Sequence, residues 1–132
     1  MGITLSEAQK MLEAAQANAS SLGVNVSICV IDTQGIPIAL ARMDGARFFT
    51  TDVARGKAMV SAFFGQPSGA FGERASSPFF TSFNQLQGGR LFFVQGALPI
   101  TKDAQPVGAI GVSGGSAQQD EDIAKAGLDT VV

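Results

Sequence analysis

The sequence predicts an α/β domain over residues 1–132, a sandwich of helices around a mostly antiparallel sheet of about five strands. Three observations lead there. Helical and strand-like periodicities alternate along the chain, as helix, two strands, helical segments, two or three strands, helix. The strand-like runs are joined by short turns, which link antiparallel neighbours and cannot link parallel ones. Apolar residues make up 45% of the chain and charged residues 15%, enough to bury a core.

Each element has its own signal. Thr4-Leu5-Ser6-Glu7 matches a capping box, and Ala8, Met11, Leu12, Ala15, Ala19 and Leu22 follow helical spacing until Gly23 stops the helix. Val24, Val26, Ile28 and Val30 alternate while Cys29 and Ile31 make the second face apolar, so this strand is expected to be covered on both sides. Asp32 to Gly35 reads as a hairpin turn into a strand from Ile36 to Met43, with Pro37 marking a sheet edge. Thr50 or Thr51 is expected to cap a helix ending at Phe64, before Gly65 and Pro67.

Residues 66–90 are the least regular, although Ser77-Pro78 can open a short helix. Leu91 to Val94 reads as a strand and Ala97 to Ile100 leads into another. Lys102 to Gln105 forms a turn before a strand from Val107 to Ser113, and the last helix runs from Ser116 towards Leu128.

Composition removes several function classes. A net charge of −2 with nine scattered basic residues argues against nucleic-acid binding. The amphipathic first twenty residues lack a signal peptide's apolar centre, and no run is long enough to span a membrane. Cys29 is the only cysteine, which excludes an intrachain disulfide and points to the cytoplasm. The chain has no His, Tyr or Trp, so it lacks the commonest metal ligand and neutral-pH base; no metal site is expected.

The strongest candidate for chemistry is Ser113-Gly114-Gly115, where a small-residue strand turns into a helix capped by Ser116 and Gln119. Glycine there admits positive φ or close approach, and exposed N–H groups at a helix start suit a carboxylate or phosphate. The same pattern also serves as a plain tight turn. Asp120 follows on the apolar side of that helix, with Ile123, Ala124 and Gly127, so its carboxylate needs a partner. Lys57 falls in line with Val53, Val60 and Phe64 on an apolar stripe, where it either reaches solvent or aims at a ligand or a cross-subunit acid. Arg42, Asp44 and Arg47 surround a turn and read as solvated charges. Eight phenylalanines between residues 48 and 83 suggest a subunit interface or an apolar ligand wall.

Ala41-Arg42-Met43-Asp44-Gly45-Ala46, Ala54-x-x-Lys57-Ala58, Pro99-Ile100, Gly108 to Gly114, Asp120 and Ala124-x-Ala126-Gly127 together resemble the GlcG-like, or HbpS-like, haem-binding family. The resemblance runs from about residue 4 to 129 and extends to the C-terminal domain of PduO-type proteins. It implies a profilin-like α/β/α fold, a homodimer or homo-octamer, and haem, corrinoid or another small molecule held near a subunit interface. Carried over by position, the ligand-binding residues fall on Asp44, Lys57, Pro99, Ser113, Gly114 and Asp120. Two departures stand out: Ala97 occupies a position commonly glycine, and without histidine haem iron is left with Met, Cys29, Lys or an oxygen ligand.

Three readings of function remain open. The first is an oligomeric binder of an organic acid or tetrapyrrole. The second is an isomerase, lyase or hydrolase of a small carboxylate, with Lys57 or Asp120 moving the proton and the turn N–H groups stabilising an enolate-like oxygen. The third is an assembly partner without a ligand.

Overall fold

A computed structural model describes residues 2–131, so the two end residues of the expected 1–132 span lie outside the described part. The chain runs α1 (Leu5–Leu22), β1 (Ser27–Ile31), β2 (Pro37–Arg42), α2 (Thr50–Phe64), a 3-10 segment (Ser68–Arg74), α3 (Pro78–Leu86), β3 (Ala97–Lys102), β4 (Gln105–Ser113) and α4 (Ala117–Leu128). The four strands form one antiparallel sheet in the order β2-β1-β4-β3.

The capping boxes form as the sequence implies. Thr4 Oγ1 accepts the Glu7 N–H at 3.1 Å and Glu7 Oε1 accepts the Thr4 N–H at 2.8 Å. At α4, Ser116 and Gln119 repeat the exchange at 3.1 and 2.9 Å. Each cap satisfies helix-start donors that would otherwise have no partner in the helix.

Alternation along the central strands builds a core on each face. Ile28, Val30, Ile110 and Val112 point into a cluster with Met11, Leu12, Ala15 and Ile123 from α1 and α4. Cys29, Ile31 and Ala109 point the other way, against Ala54, Ala58, Met59 and Ala62 of α2. The result is an α/β/α sandwich. Its α2 side is closely packed: a Cβ placed on Gly111 of β4 would lie 2.2 Å from the Ala54 carbonyl oxygen.

One expected strand is absent, so the sheet has four strands rather than five. Leu91 to Val94 lies across α2 instead. The Asn84 side chain accepts the Leu91 N–H at 2.9 Å and donates to its carbonyl at 3.3 Å, while the Phe92 N–H donates to Gly56 O at 3.2 Å. Backbone groups that a ladder would have paired are thus satisfied locally. The approach also accounts for glycine in mid-helix, since a Cβ on Gly56 would stand 2.5 Å from Arg90 O.

The edge strand β3 offers no free N–H at its first two outward positions. Ala97 N–H points away from β4 and donates to Ser68 Oγ at 3.0 Å. Two residues on, Pro99 faces the same way and has no N–H to offer. Among the described residues, no helix is long and apolar enough to cross a membrane.

Candidate functional site

The loop after β2 and the turn after β4 meet at one end of the sheet. Met43 N–H bonds to Val26 O at 3.0 Å, and two further turns lead through Gly45 to the start of α2. Opposite them, Ser113 at the end of β4 pairs with Ser27. Between loop and turn lies a cleft of about 400 Å3, whose walls include Asn25, Arg47, Phe49, Thr50, Ser113 and Gly114.

Thr50 does not cap α2, contrary to the sequence expectation; Phe49 holds the cap position and makes no side-chain bond there. The Thr50 hydroxyl instead donates to Arg47 O at 2.7 Å, which leaves the Ser27 hydroxyl as donor in the buried 2.8 Å bond between them. This chain fastens β1 to the loop carrying Arg47. It also leaves the first N–H groups of α2, beside the cleft, without a side-chain acceptor.

Behind the Ser113–Gly115 turn, Lys57 and Asp120 form a buried ion pair. Lys57 Nζ donates to Asp120 Oδ2 at 2.9 Å and to Val112 O at 3.0 Å, with the two side chains 4% and 3% exposed. Asp120 Oδ1 accepts the Gly115 N–H at 2.8 Å. Burial lifts the Asp120 carboxyl above its ordinary range, against the opposing pull of Lys57 and the turn N–H groups. The acid partnering Lys57 therefore belongs to its own chain, and the turn donor expected to meet a ligand holds the protein's own carboxylate.

Two close approaches enforce this arrangement. A Cβ on Gly96 would sit 2.7 Å from Lys57 Nζ. Gly114, at φ +138°, passes so near the β1 entry that a Cβ would lie 2.4 Å from Asn25 O.

Of the expected site residues, Ser113 and Gly114 line the cleft, while Lys57 and Asp120 stand behind its wall. Asp44 lies in a neighbouring depression with Gln16, Arg42 and Met43, and Pro99 is on the far edge strand. The structure does not bring those two to the cleft. Arg47, which reads as a solvated turn charge in sequence, lines it. The three ion pairs among the described residues are Lys57–Asp120, Lys102–Glu7 and Lys125–Asp129, so Arg47 has no carboxylate partner there. Its sequence signal was position, three residues before the start of α2.

A family model for haem degrading proteins of the HbpS-like type matches residues 3–129. An uncharacterized 15.0 kDa protein from the dhaT-dhaS intergenic region of Citrobacter freundii is 31% identical over 130 residues, spanning 96% of this chain and 90% of that protein. The crystal structure of Klebsiella pneumoniae protein ORFY, of the DUF336 family, superposes with a TM-score of 0.89 at 28% identity, covering 98% of this chain and 92% of that one. A PduOC:haem complex shares the fold at a TM-score of 0.88 and 22% identity, covering 99% and 96%.

Proposed function

This chain belongs to the HbpS-like family of haem degrading proteins, and on that premise we propose that it is a binding protein for an organic acid. The acid sits in the cleft between the Gly45–Thr50 loop and the Ser113–Gly115 turn, with its carboxylate on Arg47. The observation that carries this reading is the unpartnered Arg47 guanidinium lining a cleft of about 400 Å3. A guanidinium pairs with a carboxylate through two parallel hydrogen bonds, and the start of α2 adds positive potential beside it. Phe49 and Val24 offer the acid's apolar body a surface. Phe48, at 80% exposure on the same loop, and the exposed Phe79 and Leu86 of α3 supply apolar area through which copies of the chain associate.

The family and one solved relative of this fold bring haem into consideration. The side chains lining the cleft offer no imidazole, thiolate, thioether or phenolate to haem iron. His and Tyr are missing from the sequence. Cys29 is fully buried, and burial pushes its thiol up to about 12, out of thiolate range. Among the described residues, Met11 and Met59 lie in the cores, and Met43 is half-buried in a depression beside the cleft. A tetrapyrrole would be held here by a propionate on Arg47 and by apolar contact, not by its metal. An acid–base role for Lys57 and Asp120 lacks comparable support, since each already holds the other.

The test is an absorbance titration with protoporphyrin IX and with haem, using wild-type protein and Arg47→Ala. Both tetrapyrroles should bind wild type within a few-fold of each other, and Arg47→Ala should weaken both about tenfold, the scale of one charge-assisted pair. Unchanged affinity in Arg47→Ala, or haem binding at least about 100-fold tighter than the metal-free ring, overturns the proposal.

A further inference from the structure

Farther along α2 lies a second cleft, of about 370 Å3, whose lining includes Asp52, Arg55, Gly56, Met59, Arg90 and Phe92. Both of its arginines are held in place by backbone carbonyls. Arg55 Nε and Nη2 donate to Gly35 O at 3.3 and 3.1 Å, at the tip of the β1–β2 hairpin. Arg90 Nε donates to Gln87 O at 2.8 Å, and its own backbone is pressed against Gly56. Each guanidinium therefore uses one edge as an anchor and keeps N–H groups free on another.

Neither arginine has a carboxylate partner among the described residues, although Asp52 lines the same cleft. Two anchored cations beside a nearly buried Met59 and a 41%-exposed Phe92 form a charged head region next to an apolar wall. A doubly charged ligand in the cleft would draw Coulomb attraction from both.

We propose that this cleft binds an organic dianion, a phosphomonoester or a dicarboxylate with a compact apolar body. Arg55 and Arg90 take the charged head, and Met59 with Phe92 covers the body. Asp52 opposes the anion and so limits its affinity. The site is separate from the Arg47 cleft and does not depend on the reading given for that cleft.

Calorimetric titration of the whole protein tests this, with phenyl phosphate and phenylsuccinate as probes and benzoate and inorganic phosphate as comparators. At least one dianionic probe should bind saturably, and at least about tenfold more tightly than benzoate or inorganic phosphate. Which of the two binds identifies the head group. Measured in an Arg47→Ala background that disables the other cleft, Arg90→Ala and Arg55→Gln should each weaken binding about tenfold or more, and Asp52→Asn should tighten it several-fold. Arg90 is exposed and anchored only within its own loop, so its variant keeps the test valid if Arg55→Gln, which loosens the hairpin tip, fails to fold. No saturable binding of either probe, inorganic phosphate binding as tightly as phenyl phosphate, or an affinity unchanged by Arg90→Ala in that background would each refute the assignment.

Discussion

Replacing Asp120 with alanine is the sharpest test of the architecture behind the turn. The substitution leaves the Lys57 ammonium buried with Val112 O as its remaining partner, and the Gly115 N–H loses its acceptor. Stranding one member of a buried pair costs about 3–5 kcal/mol, and an orphaned N–H about 1–3 kcal/mol. Gly115 is only partly buried, so the lower end applies and the two losses overlap; about 4 kcal/mol is expected for Asp120→Ala. Domains of ordinary stability hold about 5–15 kcal/mol in total, so much of the margin disappears.

Lys57→Met should cost less, about 2 kcal/mol, because the turn N–H groups still serve the carboxylate and it can take up a proton. In that variant Asp120 has a folded-state pKa raised above its unfolded value. The stability tied to it is complete below the unfolded pKa and is lost as pH rises through the folded one. Lys57→Met should therefore recover relative to wild type on acidification, whereas Asp120→Ala should not. Urea unfolding followed by circular dichroism, across a pH series, measures both differences. A loss below about 1 kcal/mol in Asp120→Ala would show that water reaches the pair and would refute the reasoning.

Two further predictions concern other titratable groups. Cys29, fully buried and with its thiol pushed up to about 12, should resist thiol reagents at pH 8 in the native state and react promptly in urea. Rapid native labelling would contradict the burial. Glu7 is held below the ordinary carboxylate range first by its hydrogen bond from Lys102 and then by the Thr4 N–H, so its stabilising contribution is present above the unfolded pKa and lost as pH falls through the folded one. Carbon-detected NMR titration should show the Glu7 midpoint moving up in Lys102→Ala; an unmoved midpoint would assign the shift to the helix cap alone.

Much of the fold was legible because its signals are local. Thr4–Glu7 and Ser116–Gln119 specify helix starts within four residues, and the Val24–Ile31 run declares a strand covered on both faces. The false strand at Leu91–Val94 has suitable residues, but its backbone is claimed by Asn84 and Gly56, partners that periodicity does not reveal. For the site, sequence identified the turn, Lys57 and Asp120 as groups in need of partners. Only tertiary structure shows that they satisfy one another across 63 residues of chain. Arg47 went unweighted for the converse reason: an exposed turn charge looks the same whether or not a cleft opens beside it.

The interrupted donors at the sheet edges have a consequence for assembly. On β3, Ser68 occupies one outward N–H and Pro99 removes the next, and at the opposite edge Pro37 removes an N–H at the start of β2. Neither edge therefore offers a second copy an unbroken row of N–H groups. A row of donors interrupted at both edges of the sheet disfavours open-ended strand-to-strand stacking of copies.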